Sequence, residues 1–328
     1  MILSDRRPIG IAAIRSFLPA EIVSNSAAIV THGFDETFVY EKLGIRERRA
    51  AGREEYVSDL AAAAGRRLLE DTGTDARNIG LLVVVTQTPD YCLPHVSAVV
   101  ADRLGCAPST AAFDISLGCS GYVYGLQVVG SMMKAQGIDK GLLITAETYS
   151  KLVSPADRAT APLFGDGAAA TLLSADAVYD LGKFSFGTDG SRHEALIARG
   201  SAVRRDRVEP LFMDGREIFA FVIGSLPRSI EACLALNDLA RDDIDSWIFH
   251  QASRHMVLSL AARLRIPQER CVIDVERIGN TTSSTIPIAL ETHALETAKR
   301  PQRIFLSGFG VGLSWGNTVL TLRTENSK

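Results

Sequence analysis

Short apolar runs alternate with longer stretches of helical spacing along the chain, and this alternation is the main structural signal in the sequence. Nearly continuous apolar runs of a few residues are typical of strands that are covered on both faces. The runs that predict strands are 81–85, 111–115, 142–145, 168–173, 247–249, 272–275, 304–306 and 318–322.

Five stretches between these runs have apolar residues at helical spacing. The first begins at Ser58, a residue type that caps helices, and ends at Gly73. The other helices are predicted over 120–137, 219–236, 253–264 and 284–298. Strands that alternate with helices in this way predict an α/β fold with a largely parallel sheet.

The second part of the chain repeats the first in a degenerate form. A polar turn, an apolar strand and a polar strand end occur in 78–86 and again in 243–250. Three further matches keep the same order, namely 114–119 with 275–280, 142–145 with 304–307, and 165–168 with 312–316. A duplicated αβ unit explains this order. We predict an N-terminal half over 1–178 and a C-terminal half over 179–328.

Length, charge and hydropathy narrow the class of protein. The 328 residues suggest about two domains, or one large domain built from two similar parts. The net charge of −3 argues against a nucleic-acid partner. No apolar run reaches the roughly 20 residues that span a bilayer, and the first residues lack the pattern of a signal peptide. We therefore expect a cytoplasmic protein without a membrane partner.

The chain has five cysteines, at positions 92, 106, 119, 233 and 271. An odd number without a C-x-x-C pair argues against a disulfide framework or a zinc ribbon, and we predict no metal site. A scattered cysteine is most often a small buried apolar residue. Four of the five are expected to be of that kind.

Cys119 differs from the others because it follows a predicted strand and Gly118 and opens a predicted helix. The first N–H groups of a helix are unpaired, and the helix dipole favours negative charge there. A thiol in that place is expected to have a lowered pKa and to act as a nucleophile. The alternative is a buried structural cysteine.

Two polar residues occupy related places in the repeat. His250 ends a predicted strand, where ligands of α/β sheets collect, and Asn280 follows Gly279 at the position that answers Cys119. Taken singly, His250 could be structural and Asn280 a turn residue. Together with Cys119 they form a set that can perform acyl transfer. The glycine-rich turn 308–316 could add a backbone donor to an oxyanion hole.

These residues carry a resemblance to a known family. The motifs are 43–48 (LGIRER), 114–126 (DISLGCSGYVYGL), 164–168 (FGDGA), 250–252 (HQA), 279–281 (GNT) with Ile286 and Pro287, and 312–316 (GLSWG). In this order the chain resembles the β-ketoacyl-acyl-carrier-protein synthase III family of the thiolase superfamily. The resemblance implies a thiolase-like α/β fold, in which the duplicated αβ unit gives a layered α-β-α-β-α architecture.

The resemblance also implies a reaction. Cys119 would take an acyl group from a thioester, and His250 and Asn280 would bind the carbonyl of a malonyl thioester while carbon dioxide leaves. The backbone N–H groups of Cys119 and Val311 would form the oxyanion hole. No metal or redox cofactor is implied, because acyl-CoA and a malonyl thioester are the substrates.

The resemblance also implies binding sites for coenzyme A and for the acyl group. Coenzyme A would be held by Phe38 and Arg158, which correspond to an aromatic residue and an arginine on the two sides of adenine. The acyl pocket would be lined by Leu93, Leu196, Leu211 and Met213. Leu93 would reach this pocket across a dimer interface, so a homodimer is expected.

The acyl-carrier protein is the partner about which the sequence raises a question. Three positions that are usually basic in carrier-binding members are Ala220, His255 and Ala262 here, although Arg254 and Arg263 lie nearby. Rim charges chiefly govern association rate and partner choice. Two alternatives to condensation therefore stay open, namely acyl transfer to a hydroxyl or amine without decarboxylation, and a non-catalytic partner subunit of a condensing enzyme.

Overall fold

The computed structural model describes residues 8–201 and 203–324, and the alternation of strands and helices is seen throughout them. The strands are β1 (Gly10–Phe17), β2 (Glu21–Ser24), β3 (Glu47–Ala50), β4 (Leu81–Val85), β5 (Ala111–Ile115), β6 (Lys140–Glu147), β7 (Gly167–Ser174), β8 (Tyr179–Leu181), β9 (Ser185–Thr188), β10 (Leu196–Ile197), β11 (Phe212–Met213), β12 (Ser246–Phe249), β13 (Arg303–Gly310) and β14 (Ser314–Leu322). The α-helices are α1 (Asn25–His32), α2 (Val57–Thr72), α3 (Val96–Leu104), α4 (Gly121–Gln136), α5 (Gly215–Leu236), α6 (Arg254–Leu264) and α7 (Thr285–Leu290). Two π-helical segments cover Phe38–Leu43 and Glu291–Leu295.

One mixed sheet of ten strands organises these elements. Its order is β12-β13-β14-β8-β1-β7-β6-β4-β5, and β9 also pairs with β14. β4 runs parallel to β5 and β6, and β12 runs parallel to β13, whereas the other pairs of this sheet are antiparallel. The α/β class is confirmed, but the expectation of a largely parallel sheet was wrong. β13 and β14 are joined by three residues, a connection that is long enough for an antiparallel hairpin and too short for a crossover helix.

The same arrangement of pairings occurs twice. β6 has a parallel neighbour, β4, and an antiparallel neighbour, β7, and β13 is flanked in the same way by β12 and β14. β8 pairs with both β1 and β14 and so joins the two arrangements in one sheet. The division at residues 178 and 179 stays a prediction, and it falls at the strand that both arrangements share.

Buried side chains place the helices in layers. α2 and α3 pack on one face of the strands β4, β6 and β7. α4 and α7 share a core with residues of β4, β6 and β7 on one side and of β12, β13 and β14 on the other. α5 and α6 pack on the far face of β12, β13 and β14. The result is the predicted α-β-α-β-α succession of layers, with α4 at its centre.

By its length and composition alone, α5 would be able to span a bilayer. Its buried residues recur at helical spacing from Ile218 and Val222 to Leu226 and Ile230, and they contribute to the core with α6. This one-sided burial is typical of a helix that covers a sheet. We therefore interpret α5 as a core helix.

Several predicted bounds needed correction. The run 272–275 is not a strand, because the Gln251 side chain satisfies its backbone groups, at 3.2 Å from Val272 O and 2.8 Å from Asp274 N. Ser58 does not cap α2. It lies inside the helix and accepts a hydrogen bond from Arg103, while Asp59 accepts the N–H of Tyr56.

The last predicted helix is shorter than expected. α7 ends at Leu290 and continues as a π-helical segment to Leu295, whereas the sequence predicts one helix over 284–298. The other helix predictions agree better. α4 ends at Gln136, before Gly137 at φ 68°, and Ser253 caps α6 by accepting the N–H of Met256 at 3.2 Å.

Candidate active site

A cavity of about 300 Å³ opens between the central layer and the helices α5 and α6. Cys119, His250 and Asn280 all line it, although they come from the start of α4, the end of β12 and the turn before α7. The structure thus brings the three predicted residues together. Most of the remaining lining is apolar.

Cys119 stands between β5 and α4, and β13 passes directly beside it. A Cβ at Gly310 would lie 2.9 Å from both Cβ and Sγ of Cys119, so only glycine leaves room for the thiol. Ser314 ties the turn after Gly310 to this point. Its hydroxyl donates to Val311 O at 2.7 Å and lies 2.8 Å from the Ser120 hydroxyl.

The thiol of Cys119 is neutral in the resting site. Burial and, to a smaller extent, the charge of Glu147 raise its pKa to about 12, against the backbone N–H groups of Cys119 and Val311, which lower it. The expectation of a lowered pKa was therefore wrong, because the helix start lies in an apolar cavity that disfavours the thiolate. The same two N–H groups do converge on the sulfur, where an oxyanion hole is expected.

His250 is held at the end of β12 by three contacts. Its backbone N–H donates to Ser307 O at 2.8 Å, its ring meets the Phe309 ring edge-on at 5.6 Å, and Nδ1 lies 2.8 Å from Thr285 Oγ1. The Thr285 hydroxyl donates to Thr282 O at 3.1 Å, so we assign the contact as Nδ1–H donating to Thr285. Burial lowers the pKa of His250 to about 3. The imidazole is therefore neutral, and Nε2 carries a lone pair.

Asn280 is fixed through its backbone and its side-chain oxygen. Its N–H donates to Leu163 O at 2.9 Å and its carbonyl accepts from Gly165 N at 3.0 Å, which pairs the turn with the segment before β7. Oδ1 accepts the N–H of Thr282 at 2.9 Å. This bond orients the amide so that Nδ2 is the group left to donate to a ligand.

The predicted acyl-pocket residues fall in three different environments. Leu196 and Met213 line the cavity, on the neighbouring strands β10 and β11. Leu211 is buried in the adjoining core and is not among the lining residues. Leu93 is 87% exposed, on a loop whose Tyr91 is 52% exposed.

The predicted coenzyme A residues lie at the mouth of the cavity, but a third side chain accompanies them. Phe38 lines the cavity and is 37% exposed, and Arg158 precedes the lining residue Ala159. The Arg158 guanidinium lies 5.1 Å from the centroid of the Phe34 ring, and that ring stacks on Phe38 at 5.3 Å. Phe34 therefore contacts both residues that were expected to hold adenine.

The rim carries few of the expected charges. Ala220 and Ala262 are exposed, and His255 lines the mouth, where its ring stacks on Phe219 at 5.6 Å. Arg263 is exposed, and Arg254 packs with its aliphatic part against Gly44. The structure thus leaves Arg263 exposed and Arg254 partly covered.

Sequence reasoning missed three residues around the site, namely Phe34, Thr285 and Glu147. Thr285 orients His250, and Glu147 acts on the Cys119 thiol. A signal for Glu147 was present, because it is a charged residue at the end of an apolar strand, the criterion that singled out His250. No comparable signal marks Phe34 or Thr285.

Within 8–201 and 203–324, no group of three or more His, Cys, Asp or Glu side chains is arranged to hold a metal ion. A groove of about 530 Å³ lies beside the C-terminal half of α4 and β8, and it contains none of the predicted site residues.

Comparisons with known proteins agree with this geometry. Residues 113–190 match the family model described as 3-oxoacyl-[acyl-carrier-protein (ACP)] synthase III, and residues 234–322 match the model of its C-terminal part. A β-ketoacyl-[acyl-carrier-protein] synthase III of Streptococcus pyogenes serotype M6 is 34% identical over 95% of this chain and 98% of its own.

Solved structures are similar over nearly the whole chain. A 3-oxoacyl-(acyl-carrier-protein) synthase III is 36% identical, with a TM-score of 0.89 over 96% of this chain and 100% of its own. The priming β-ketosynthase of the R1128 polyketide biosynthetic pathway is 29% identical, with a TM-score of 0.89 over 98% of each chain. The layered fold is thus a thiolase-like fold.

Proposed function

Because this chain belongs to the β-ketoacyl-[acyl-carrier-protein] synthase III family, we propose that Cys119, His250 and Asn280 perform its reaction. The enzyme joins an acyl thioester to a malonyl thioester by decarboxylative Claisen condensation, in fatty-acid or polyketide biosynthesis. One observation carries the assignment of residues. A thiol, an imidazole and an amide line one apolar cavity, with two backbone N–H groups directed at the thiol.

The first half-reaction is acyl transfer to Cys119. Nε2 of His250 takes the proton of the thiol while Sγ attacks the thioester carbonyl carbon. The carbonyl oxygen becomes an oxyanion, which the N–H groups of Cys119 and Val311 stabilise. Collapse of the intermediate breaks the bond to the donor sulfur, and this leaving sulfur receives from His250 the proton that came from Cys119. The products are acyl-Cys119 and a free thiol.

The second half-reaction forms the carbon–carbon bond. Loss of carbon dioxide leaves its bonding electron pair on the malonyl thioester as an enolate, and Nδ2 of Asn280 donates to the enolate oxygen. The overall reaction consumes one proton from solvent. His250 is neutral in the resting site, and the negative charge of the bound malonyl thioester favours its uptake of this proton at Nε2, from which it donates to the same oxygen. The α-carbon attacks the acyl carbonyl, the bond to Sγ breaks, and His250 returns the proton to the sulfur.

The donor is proposed to be acyl-CoA, with its adenine end near Phe38 and Arg158. Phe38 stands at the cavity mouth, so the pantetheine arm would run from there to Cys119. Leu196 and Met213 make the acyl end of the cavity apolar, which favours an uncharged acyl group. None of these steps uses a metal or a redox cofactor.

We infer a homodimer in the cytoplasm. The exposed Leu93 and Tyr91 form an apolar loop that a single chain leaves uncovered, and a partner would cover it. Leu93 of each chain would then complete the acyl pocket of the other. A malonyl extender that is carried by an acyl-carrier protein fits the names of the relatives. For this acidic partner the chain provides the exposed Arg263 rather than a wide basic patch.

Mass spectrometry tests this assignment. Incubation with acyl-CoA should add one acyl group to Cys119, and a malonyl thioester should then release carbon dioxide and a β-ketoacyl product. Cys119→Ala should abolish the adduct, and Cys233→Ala, which changes another buried thiol, should not. An ester or amide product without carbon dioxide would show acyl transfer instead. Inertness that a second condensing enzyme relieves would show a non-catalytic partner.

A further inference from the structure

Glu147 is a buried carboxyl group beside the cavity that the proposed steps do not use. It ends β6 and is 0% exposed. Its oxygens accept hydrogen bonds from the Gln87 N–H at 3.1 Å and from the hydroxyls of Thr88 at 2.9 Å, Ser283 at 3.0 Å and Thr86 at 3.3 Å. Burial of an ionisable group is costly unless hydrogen bonds satisfy it, and these four donors offset part of that cost.

The donors belong to both sides of the active site. Gln87 lies on the Cys119 side, because a Cβ at Gly118 would be only 2.3 Å from Gln87 Oε1, which leaves the glycine backbone in contact with it. Tyr149 holds the same Oε1 through its hydroxyl at 2.7 Å. Ser283 lies on the other side, three residues after Asn280. Glu147 therefore accepts hydrogen bonds from one segment beside Cys119 and from another beside Asn280. These are two residues whose relative position must be kept.

The charge of Glu147 also reaches the nucleophile. Burial raises the pKa of Glu147 to about 8, against the hydrogen bonds that lower it, and its charge raises the pKa of Cys119, which is about 12. Tyr149 titrates well above its usual pKa, and the pKa of His250 is about 3. Asp166, directly before the adjoining strand β7, is another buried carboxyl, and it accepts hydrogen bonds from the N–H groups of Ser150 and Ala51. Near pH 8, therefore, the group beside Cys119 that changes charge is Glu147.

We propose that Glu147 is a positioning residue for the nucleophile: it holds the Gln87 and Ser283 segments on the two sides of the site, and its ionisation opposes the loss of the Cys119 proton. When the Glu147 carboxyl is neutral, this opposition is absent and the Cys119 thiol loses its proton more easily. This proposal rests on the proposed function only for the role of Cys119 as nucleophile.

The effect of the Glu147 charge on Cys119 should be measurable in how the reactivity of the thiol changes with pH. The thiolate is the form that reacts with alkylating agents. When two acids repel each other, loss of the first proton makes loss of the second harder. The thiolate fraction of Cys119 should therefore rise about tenfold per pH unit while Glu147 is neutral, and less steeply while Glu147 ionises. The tenfold slope should return at higher pH, once Glu147 is charged whether or not the thiol has lost its proton.

Alkylation by iodoacetamide tests this in the folded, substrate-free protein. The rate at Cys119 is followed by mass spectrometry of its peptide between about pH 6 and 10. The wild type should bend near pH 8, whereas Glu147→Gln should continue to rise without a bend and should react up to about tenfold faster one pH unit above it. Glu291→Gln is the matched control, because Glu291 is another buried carboxyl of raised pKa, and it is bonded to Ser16. Free N-acetylcysteine in the same reaction reports how the reagent itself depends on pH.

Each outcome decides the proposal. A wild-type profile without a bend, or a bend that persists in Glu147→Gln, overturns it. If Glu147→Gln does not fold, Ser283→Ala replaces it. This variant removes one bond that favours the ionised carboxylate, so the bend should move to higher pH, and an unmoved bend overturns the proposal. The reagent is not a thioester, so failure to condense acyl groups would refute the proposed function and leave this result interpretable.

Discussion

The Thr285 hydroxyl lies 2.8 Å from Nδ1 of His250 and at the same time donates to Thr282 O. This pair decides which ring nitrogen carries the proton, and hence that Nε2 is the base. Thr285→Val keeps the shape and removes the acceptor, so we expect kcat/KM to fall about tenfold. Thr285→Ser should restore most of the activity. Steady-state kinetics across pH check this. Equal losses in the Val and Ser variants would contradict it.

Asn280→Ala should separate the two half-reactions. The variant lacks the Nδ2 donor for the enolate, and decarboxylation should slow by about 100-fold or more. Acylation of Cys119 does not use this donor and should stay near the wild-type rate. Carbon dioxide release and the mass of the acyl adduct give the two rates. A variant that also fails to acylate would place Asn280 in the first half-reaction.

Phe34→Ala should improve the use of acyl-CoA. Phe34 stacks on Phe38 and lies against Arg158, so in the proposed coenzyme A site it would compete with adenine for both partners. Its removal should lower the KM for acyl-CoA about fivefold and leave the KM for acyl-pantetheine unchanged, because that donor lacks adenine.

Tyr40→Ala is the control for this variant, since Tyr40 lies under the guanidinium of Arg46 on the same segment, at 4.9 Å, and does not line the cavity. A KM for acyl-CoA that rises in Phe34→Ala would mean that the Phe34 ring itself is the surface on which adenine stacks.

Gly310→Ala should abolish acylation of Cys119. The added methyl would stand 2.9 Å from Sγ, and the backbone of β13 would have to shift away from the thiol. Gly224→Ala, on the exposed side of α5, meets nothing within 4 Å and should raise stability by about 0.5–1 kcal/mol. Adduct mass and thermal unfolding compare the two. Full acylation of Gly310→Ala would refute the close approach.

His250 should make the folded protein sensitive to acid. Its pKa is about 3 in the fold and 6.5 as the ordinary value, so below pH 6.5 the unfolded chain binds a proton that the folded chain does not. Stability is therefore lost as pH falls from 6.5 towards 3. His250→Gln should lose less than the wild type between about pH 7 and 5 in urea unfolding. Parallel losses would mean that other groups account for the acid sensitivity.

The sequence predicts the site better than its surroundings. Cys119, His250 and Asn280 were recognisable because each follows a strand or a glycine turn, and strand ends meet in the fold. The raised pKa of Cys119 could not be predicted, because the burial of its thiol depends on side chains that come from α5 and α6. Phe34 was missed for the same reason, since its contact with Arg158 joins residues more than a hundred positions apart. The antiparallel strand pairs were not predicted, because an apolar run does not show in which direction its strand runs relative to its neighbours.

The small strand β8 has a consequence for how the chain folds during synthesis. It pairs with β1 on one side and with β14 on the other, and β14 is the last strand along the chain. As residues leave the ribosome, β8 can join β1 early, but its second edge stays open until residues 320–322 arrive. Such late, non-local closure slows folding and exposes an unpaired edge. Truncation before Ser314 should therefore leave nascent chains that associate through the open edges of β8 and β13.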